Sequence, residues 1–100
     1  MPINPYESPK EVEAVWVFNG NGNAFPSGIF LSHELADAWI TSYRLSGTLT
    51  CYPSNTGVYD WAISRGHWKP EYPSQQTPEF IQRFSSAYLE HYHYENGRQQ

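Results

Sequence analysis

Apolar positions along the chain come in short blocks separated by turn-forming residues, and the period of the blocks changes along the sequence. Ala14-Val-Trp-Val-Phe18 is a compact run of β-formers and predicts a buried strand. Asn19-Gly-Asn-Gly-Asn23 follows, and because Asn and Gly tolerate positive φ it reads as a turn. Phe25-Pro-Ser-Gly-Ile-Phe30 predicts a second strand paired with the first. Pro26 has no backbone donor, which places it at an edge or at the strand's first position. From His33 the spacing becomes helical. Leu35, Ala36, Trp39, Ile40 and Tyr43 form one stripe on a helix from about His33 to Arg44. Ser32 serves as its N-cap, Glu34 and Asp37 stand in its first turns, and Gly47 marks its exit.

Thr48-Leu-Thr-Cys-Tyr52 predicts a third strand, with Leu49 and Cys51 on one face and Thr48, Thr50 and Tyr52 on the other. Pro53-Ser-Asn-Thr-Gly57 is a further turn. Val58, Trp61, Ala62 and Arg65 share one side of a short helix that Gly66 stops. Residues 67–76 carry two prolines and read as a covering loop. Thr77-Pro78-Glu79 starts a last helix, whose stripe is Phe80, Ile81, Phe84, Ala87 and Tyr88. Glu90-His-Tyr-His-Tyr-Glu95 fits either the end of that helix or, from its alternation and Tyr content, a short strand.

The assembled order, β-β-α-β-α-α with a possible C-terminal strand, is an α+β fold: a small, mostly antiparallel sheet with helices packed against it. The expected core is Trp16, Phe18, Phe30, Trp39, Ile40, Leu49, Trp61, Phe80, Ile81 and Phe84, with both helical stripes facing the sheet. Residues 1–12, which include three prolines, are expected as a tail, residues 13–97 as a single domain, and residues 98–100 as a loose end.

Val15-Trp-Val-Phe, Pro26-Ser-Gly-Ile-Phe, Ala38-Trp39-Ile40, Leu45-Ser-Gly-Thr-Leu-Thr, Gly57-Val-Tyr-Asp-Trp-Ala, Arg83-Phe-Ser-Ser-Ala and Glu90-His-Tyr-His-Tyr-Glu resemble a family of small bacterial proteins of unknown function. The likeness spans about residues 14–97. It implies a stand-alone bacterial domain and assigns no activity and no functional residue.

Composition narrows the function. Aromatic residues make up 17% of the chain, which supplies core area and leaves material for a sticky surface. The net charge is −4 and the six cations are scattered, so no basic stripe marks a nucleic-acid interface. A basic protein partner suits the charge better. The single Cys51 permits neither an internal disulfide nor a multi-cysteine metal site. The start of the chain shows no basic, apolar leader, and no run approaches a membrane span, so the expectation is a cytoplasmic protein without membrane contact.

Candidate chemistry is thin. On a strand, His91, His93 and Glu95 share a face, and two imidazoles with a carboxylate are a credible set for zinc or iron. The alternative is that Tyr92 and Tyr94 pack inward and the histidines are wet. Asp60 near His67 resembles an oriented base, yet no nucleophile accompanies it, and Asp60 also suits the start of its helix. Asn19–Asn23 lacks the Lys and Ser/Thr of a phosphate loop. No catalytic residue and no cofactor is assigned. Trp68, Glu71 and Tyr72 are the expected partner contacts, two aromatic anchors around an acid on a Pro-flanked loop; a lid over the core is the alternative for Trp68. The leading expectation is a non-enzymatic protein-interaction module, immunity- or antitoxin-like, with self-association possible. The alternative is a small metal-binding protein or metal-dependent enzyme using His91, His93 and Glu95.

Overall fold

The computed structural model describes residues 14–100. The tail expected over residues 1–12 lies outside them. Strand β1 (Val15–Gly20) is followed by β2 (Gly28–Phe30), helix α1 (His33–Ser42), β3 (Gly47–Tyr52) and helix α2 (Val58–Ser64). A 3-10 turn (Pro73–Gln76), the short helix α3 (Pro78–Ile81), β4 (His91–Glu95) and β5 (Arg98–Gln99) complete the chain. The five strands form one sheet in the order β2-β1-β3-β4-β5, with every pair antiparallel. The expected α+β class holds, and β3 returns after α1 to pair with β1.

Register assigns each side chain to a face. Phe18 stands opposite Leu49, Leu49 opposite Tyr92, and Trp16 opposite both Phe30 and Cys51. Directly opposed residues share a face, so these line the inner side. Helix α1 covers it with Ala36 and Ile40, and Phe18, Ala36, Ile40, Leu49 and Tyr94 are the buried cluster. Trp16, Phe30, Trp39, Leu45 and Tyr92 pack around it, half-buried. Leu35 and Tyr43 extend the helical stripe beyond the core and are exposed.

The helix ends are built from local hydrogen bonds. The Ser32 hydroxyl accepts the Leu35 N–H, capping α1. At the other end Arg44 takes the left-handed conformation (φ 56°), and the Arg44 and Leu45 N–H groups donate to the Thr41 and Ile40 carbonyls. That is a Schellman stop made without glycine. Gly47, expected as the helix exit, is instead the first residue of β3. A Cβ there would lie 2.1 Å from the Asn19 carbonyl oxygen and 2.8 Å from the Phe18 ring, so only glycine lets β1 and β3 approach. In α2 the expected Gly66 does make the stop, at φ 74°.

Two expectations are corrected. The stripe from Phe80 to Tyr88 does not run along a helix facing the sheet. Helix α3 ends at Ile81; the Arg83 and Phe84 N–H groups then bond to carbonyls three residues back, and the Ser86 hydroxyl accepts the Tyr88 N–H. Serine side chains offering such local bonds compete with helix propagation. Phe80 and Phe84 join Tyr59 and Trp68 in a separate aromatic cluster, while Ile81 is exposed. The chain end is not loose either. Asn96 (φ 53°) and Gly97 (φ 83°) turn β4 into β5. The Gly97 N–H donates to Leu45 O at 2.8 Å, and the Thr41 hydroxyl donates to Gly97 O at 3.1 Å, which seats the turn on the end of α1.

Tyr94 joins sheet to helix. Its buried hydroxyl donates to an Asp37 carboxylate oxygen at 2.7 Å. Burial, and then the Asp37 hydrogen bond and charge, hold the phenol above its usual range.

Two outcomes are expected. Gly47→Ala should destabilise by about 3 kcal/mol or more through backbone displacement, whereas Gly66→Ala, with nothing near its Cβ, should cost about 1 kcal/mol of backbone strain; denaturant melts compare them. Tyr94→Phe should lose about 1.5 kcal/mol at neutral pH with its hydrogen bond to a charged group. The raised folded-state phenol contributes stability that is complete below the unfolded value of about 10 and is lost as pH rises above it. Between about pH 9 and 11, the variant should therefore lose less stability than the parent protein.

Candidate functional site

Among the described residues the sheet has two unlike edges. One is β5, whose Arg98 and Gln99 present polar side chains. The other is β2, and it is apolar on both sides. Phe25 before the strand, Ile29 within it and Leu31 after it are 79%, 66% and 78% exposed. Ile29 pairs with Val17, which pairs with Thr50, so a β-branched row runs across the outer face. On the inner side Leu35, Trp39 and Tyr43 recur every fourth residue along α1 and so share one of its faces. Trp39 packs on Phe30 with ring centroids 5.4 Å apart and on Tyr43 at 6.0 Å. Gly28 lies against both rings, since a Cβ there would meet Phe30 at 2.8 Å and Trp39 at 3.2 Å.

No Asp, Glu, Lys or Arg occurs from Ala14 to His33. Edge strands commonly carry charges that deter pairing with another chain, and β2 has none. Among the described residues, five of the nine large, exposed apolar side chains belong to residues 25–43, so most of that exposed apolar surface lies at this edge. The sequence signals were available: a charge-free stretch beside a strand containing only Gly, Ile and Phe. The helical spacing of Leu35–Tyr43 masks them, because such a stripe reads as core.

The expected partner contacts are separated by the fold. Trp68 is half-buried, stacked on Phe80 at 5.6 Å and tilted on Phe84 and Tyr59 at 4.9 and 5.5 Å. Tyr72 is 61% exposed, and Glu71 beside it is exposed, its N–H donating to Gln75 Oε1. Asp60 sits in the first turn of α2 and His67 beyond its last. Most of α2 and its stop at Gly66 lie between them, and His67 is stacked on Tyr88 instead. Asn19–Asn23 completes β1 and turns toward β2.

Residues 91–95 are a strand, and His91, His93 and Glu95 lie on its outer face. The two imidazole centroids are 5.4 Å apart. His91 Nδ1 is 2.7 Å from the Leu89 carbonyl, and His93 Nδ1 is 3.4 Å from the Thr48 hydroxyl. Glu95 stands opposite Arg98. His91 and Glu95 are four residues apart on an extended strand, about 13 Å, too far to share one ion. Among the described residues no group of three His, Cys, Asp or Glu side chains is placed to hold a metal. The buried His33 Nε2 has no hydrogen-bond partner, and the ring lies edge-to-face with Trp16 and Tyr92 at 4.9 and 5.1 Å.

Protein purified without chelator is expected to carry no stoichiometric zinc, iron, manganese or nickel by elemental analysis. One equivalent of metal that disappears in the His91→Ala/His93→Ala variant would reverse this reading.

Among the described residues no helix is long and apolar enough to cross a membrane. No curated protein and no solved structure matches the chain. Residues 15–100 match the family described as a domain of unknown function, DUF7710, from the start of β1 to the last residue, and the chain belongs to that family.

Proposed function

We propose that this domain works by binding another protein, and that the β2 edge is where the partner docks. The observation that carries the reading is the uncharged, apolar-flanked edge strand. An extended segment that adds to a sheet edge gains main-chain hydrogen bonds, and its alternate side chains read the two faces. Here one set would meet Ile29 and Phe25, and the other Leu35, Trp39 and Tyr43.

Glu34 stands in the first turn of α1 next to Leu35, and the whole chain is acidic. That charge favours a basic partner, which long-range attraction would steer to the site. The most specific form of the proposal is an immunity- or antitoxin-like role in which the domain blocks a basic protein. Its support is the acidity and small size of the chain. Tyr72 and Glu71 are retained as accessory contacts because both are exposed. Trp68 is assigned to its aromatic cluster, where it holds the 59–84 segment together.

The test is affinity capture from the native host followed by reconstitution with the purified partner. Ile29→Lys places a charge on the edge and should weaken binding at least tenfold, about 1.4 kcal/mol, without changing the thermal midpoint. Trp68→Ala should lower stability instead. High salt should slow association as the screening length falls to about 3 Å near 1 M. A partner held equally well by the Ile29→Lys variant would remove the edge from the proposal.

A further inference from the structure

At the C-terminal end of α2, four chain segments border an open cleft of about 590 Å³. Its walls come from Ala14 ahead of β1, from the end of β3 with the following turn, from α2 and its exit, and from the residues just before β4. The volume is that of a small-molecule site, for which about 300–1,000 Å³ is usual. Neither the β2 edge nor the aromatic cluster around Trp68 contributes to it.

Its wall is a short aromatic stack. His67 lies flat on Tyr88, with centroids 4.3 Å apart and planes 3° from parallel, and tilts on Trp61 at 5.3 Å. Tyr88 is 67% exposed, so most of its surface is open to contact. Two opposite charges reach the cleft from different segments, and each is positioned by a neighbour. The Arg65 guanidinium lies 5.7 Å from the Trp61 ring centroid. The Glu90 carboxylate accepts a hydrogen bond from the Tyr92 hydroxyl. Among the described residues the two charges form no ion pair with one another, although both line the same cleft. Asn55, Ser54 and Ser64 add amide and hydroxyl groups. Cys51 also lines the cleft; burial, then the nearby Glu90, pushes its thiol up and keeps it neutral.

A site with one cation, one anion and a flat aromatic wall matches a ligand of complementary layout. We propose that the cleft binds a free aromatic α-amino acid, its carboxylate on Arg65, its ammonium on Glu90 and its ring against the Trp61–His67–Tyr88 wall. A simple anion would be repelled by Glu90 and a simple cation by Arg65. A neutral apolar molecule would leave both charges without partners on losing water.

Three probes of nearly equal size separate these cases: L-phenylalanine, phenethylamine without the carboxylate, and 3-phenylpropionate without the ammonium. Each is titrated into the 100-residue chain and followed by amide chemical shifts. L-Phenylalanine should move resonances of residues 54–56, 64–67 and 88–90 and bind at least about tenfold more tightly than either analogue. Arg65→Gln should abolish the preference for L-phenylalanine over phenethylamine, and Glu90→Gln its preference over 3-phenylpropionate. Both side chains are exposed, and unchanged thermal midpoints confirm folding. Equal binding of all three probes, shifts confined to other residues, or no shifts at millimolar L-phenylalanine would each overturn the proposal.

Discussion

The structure depends on how closely β1 and β3 approach. Gly47 opposite Gly20 brings the two backbones together, and that approach sets Phe18 against Leu49 in the middle of the sheet. Ile40 and Ala36 close over the pair, and all four side chains are essentially removed from solvent. A Cβ at Gly47 would collide with the backbone of β1, which cannot rotate away as a side chain can. The helix above needs a small residue at Ala36 for the same reason, because a close-packed layer has no room for spare volume.

That contact organises the rest of the sheet domain. Once α1 is seated, its end at Arg44 meets the β4–β5 turn, where Gly97 bonds to Leu45 and Thr41. Tyr94 then reaches Asp37 from beneath. The last residues are held through a glycine fitted against the Arg44 backbone, 2.9 Å from where its Cβ would lie. The C-terminal hairpin thus depends on the helix stop, and the helix stop on the core.

The aromatic surplus is divided three ways. One set covers the sheet beneath α1, a second forms the cluster of Tyr59, Trp68, Phe80 and Phe84, and a third makes the Trp61–His67–Tyr88 stack. The first two are buried or half-buried and contribute to stability. Among the described residues most of the exposed large apolar side chains lie along β2 and α1. Surface of this kind is where association with another chain would gain most from removing water, whereas the mixed, charged lining of the cleft suits a small polar ligand.

The local pattern of residues determined most of the elements and their type, though not β5. β-Formers followed by Asn and Gly specified the first hairpin, the 3.6-residue stripe after Ser32 specified α1, and the alternation in His91–Glu95 favoured a strand. These features are legible because each arises from backbone preference and burial within a few residues. The tertiary structure decided what single-residue preferences cannot express. Leu35, Trp39 and Tyr43 have the spacing of a core stripe, yet the sheet ends at β2 and leaves Leu35 and Tyr43 uncovered. The sequence after Phe80 has helical spacing, yet the helix ends at Ile81, the Arg83 and Phe84 N–H groups turn to carbonyls three residues back, and Phe80 and Phe84 pack on Tyr59 and Trp68. His91, His93 and Glu95 share a face as alternation requires, but distance along the strand keeps the outer two apart. The presence of Arg65 and Glu90 on one cleft brings together residues 25 positions apart. Only the packing of distant segments could bring them together, because no local rule of spacing relates side chains that far along a chain.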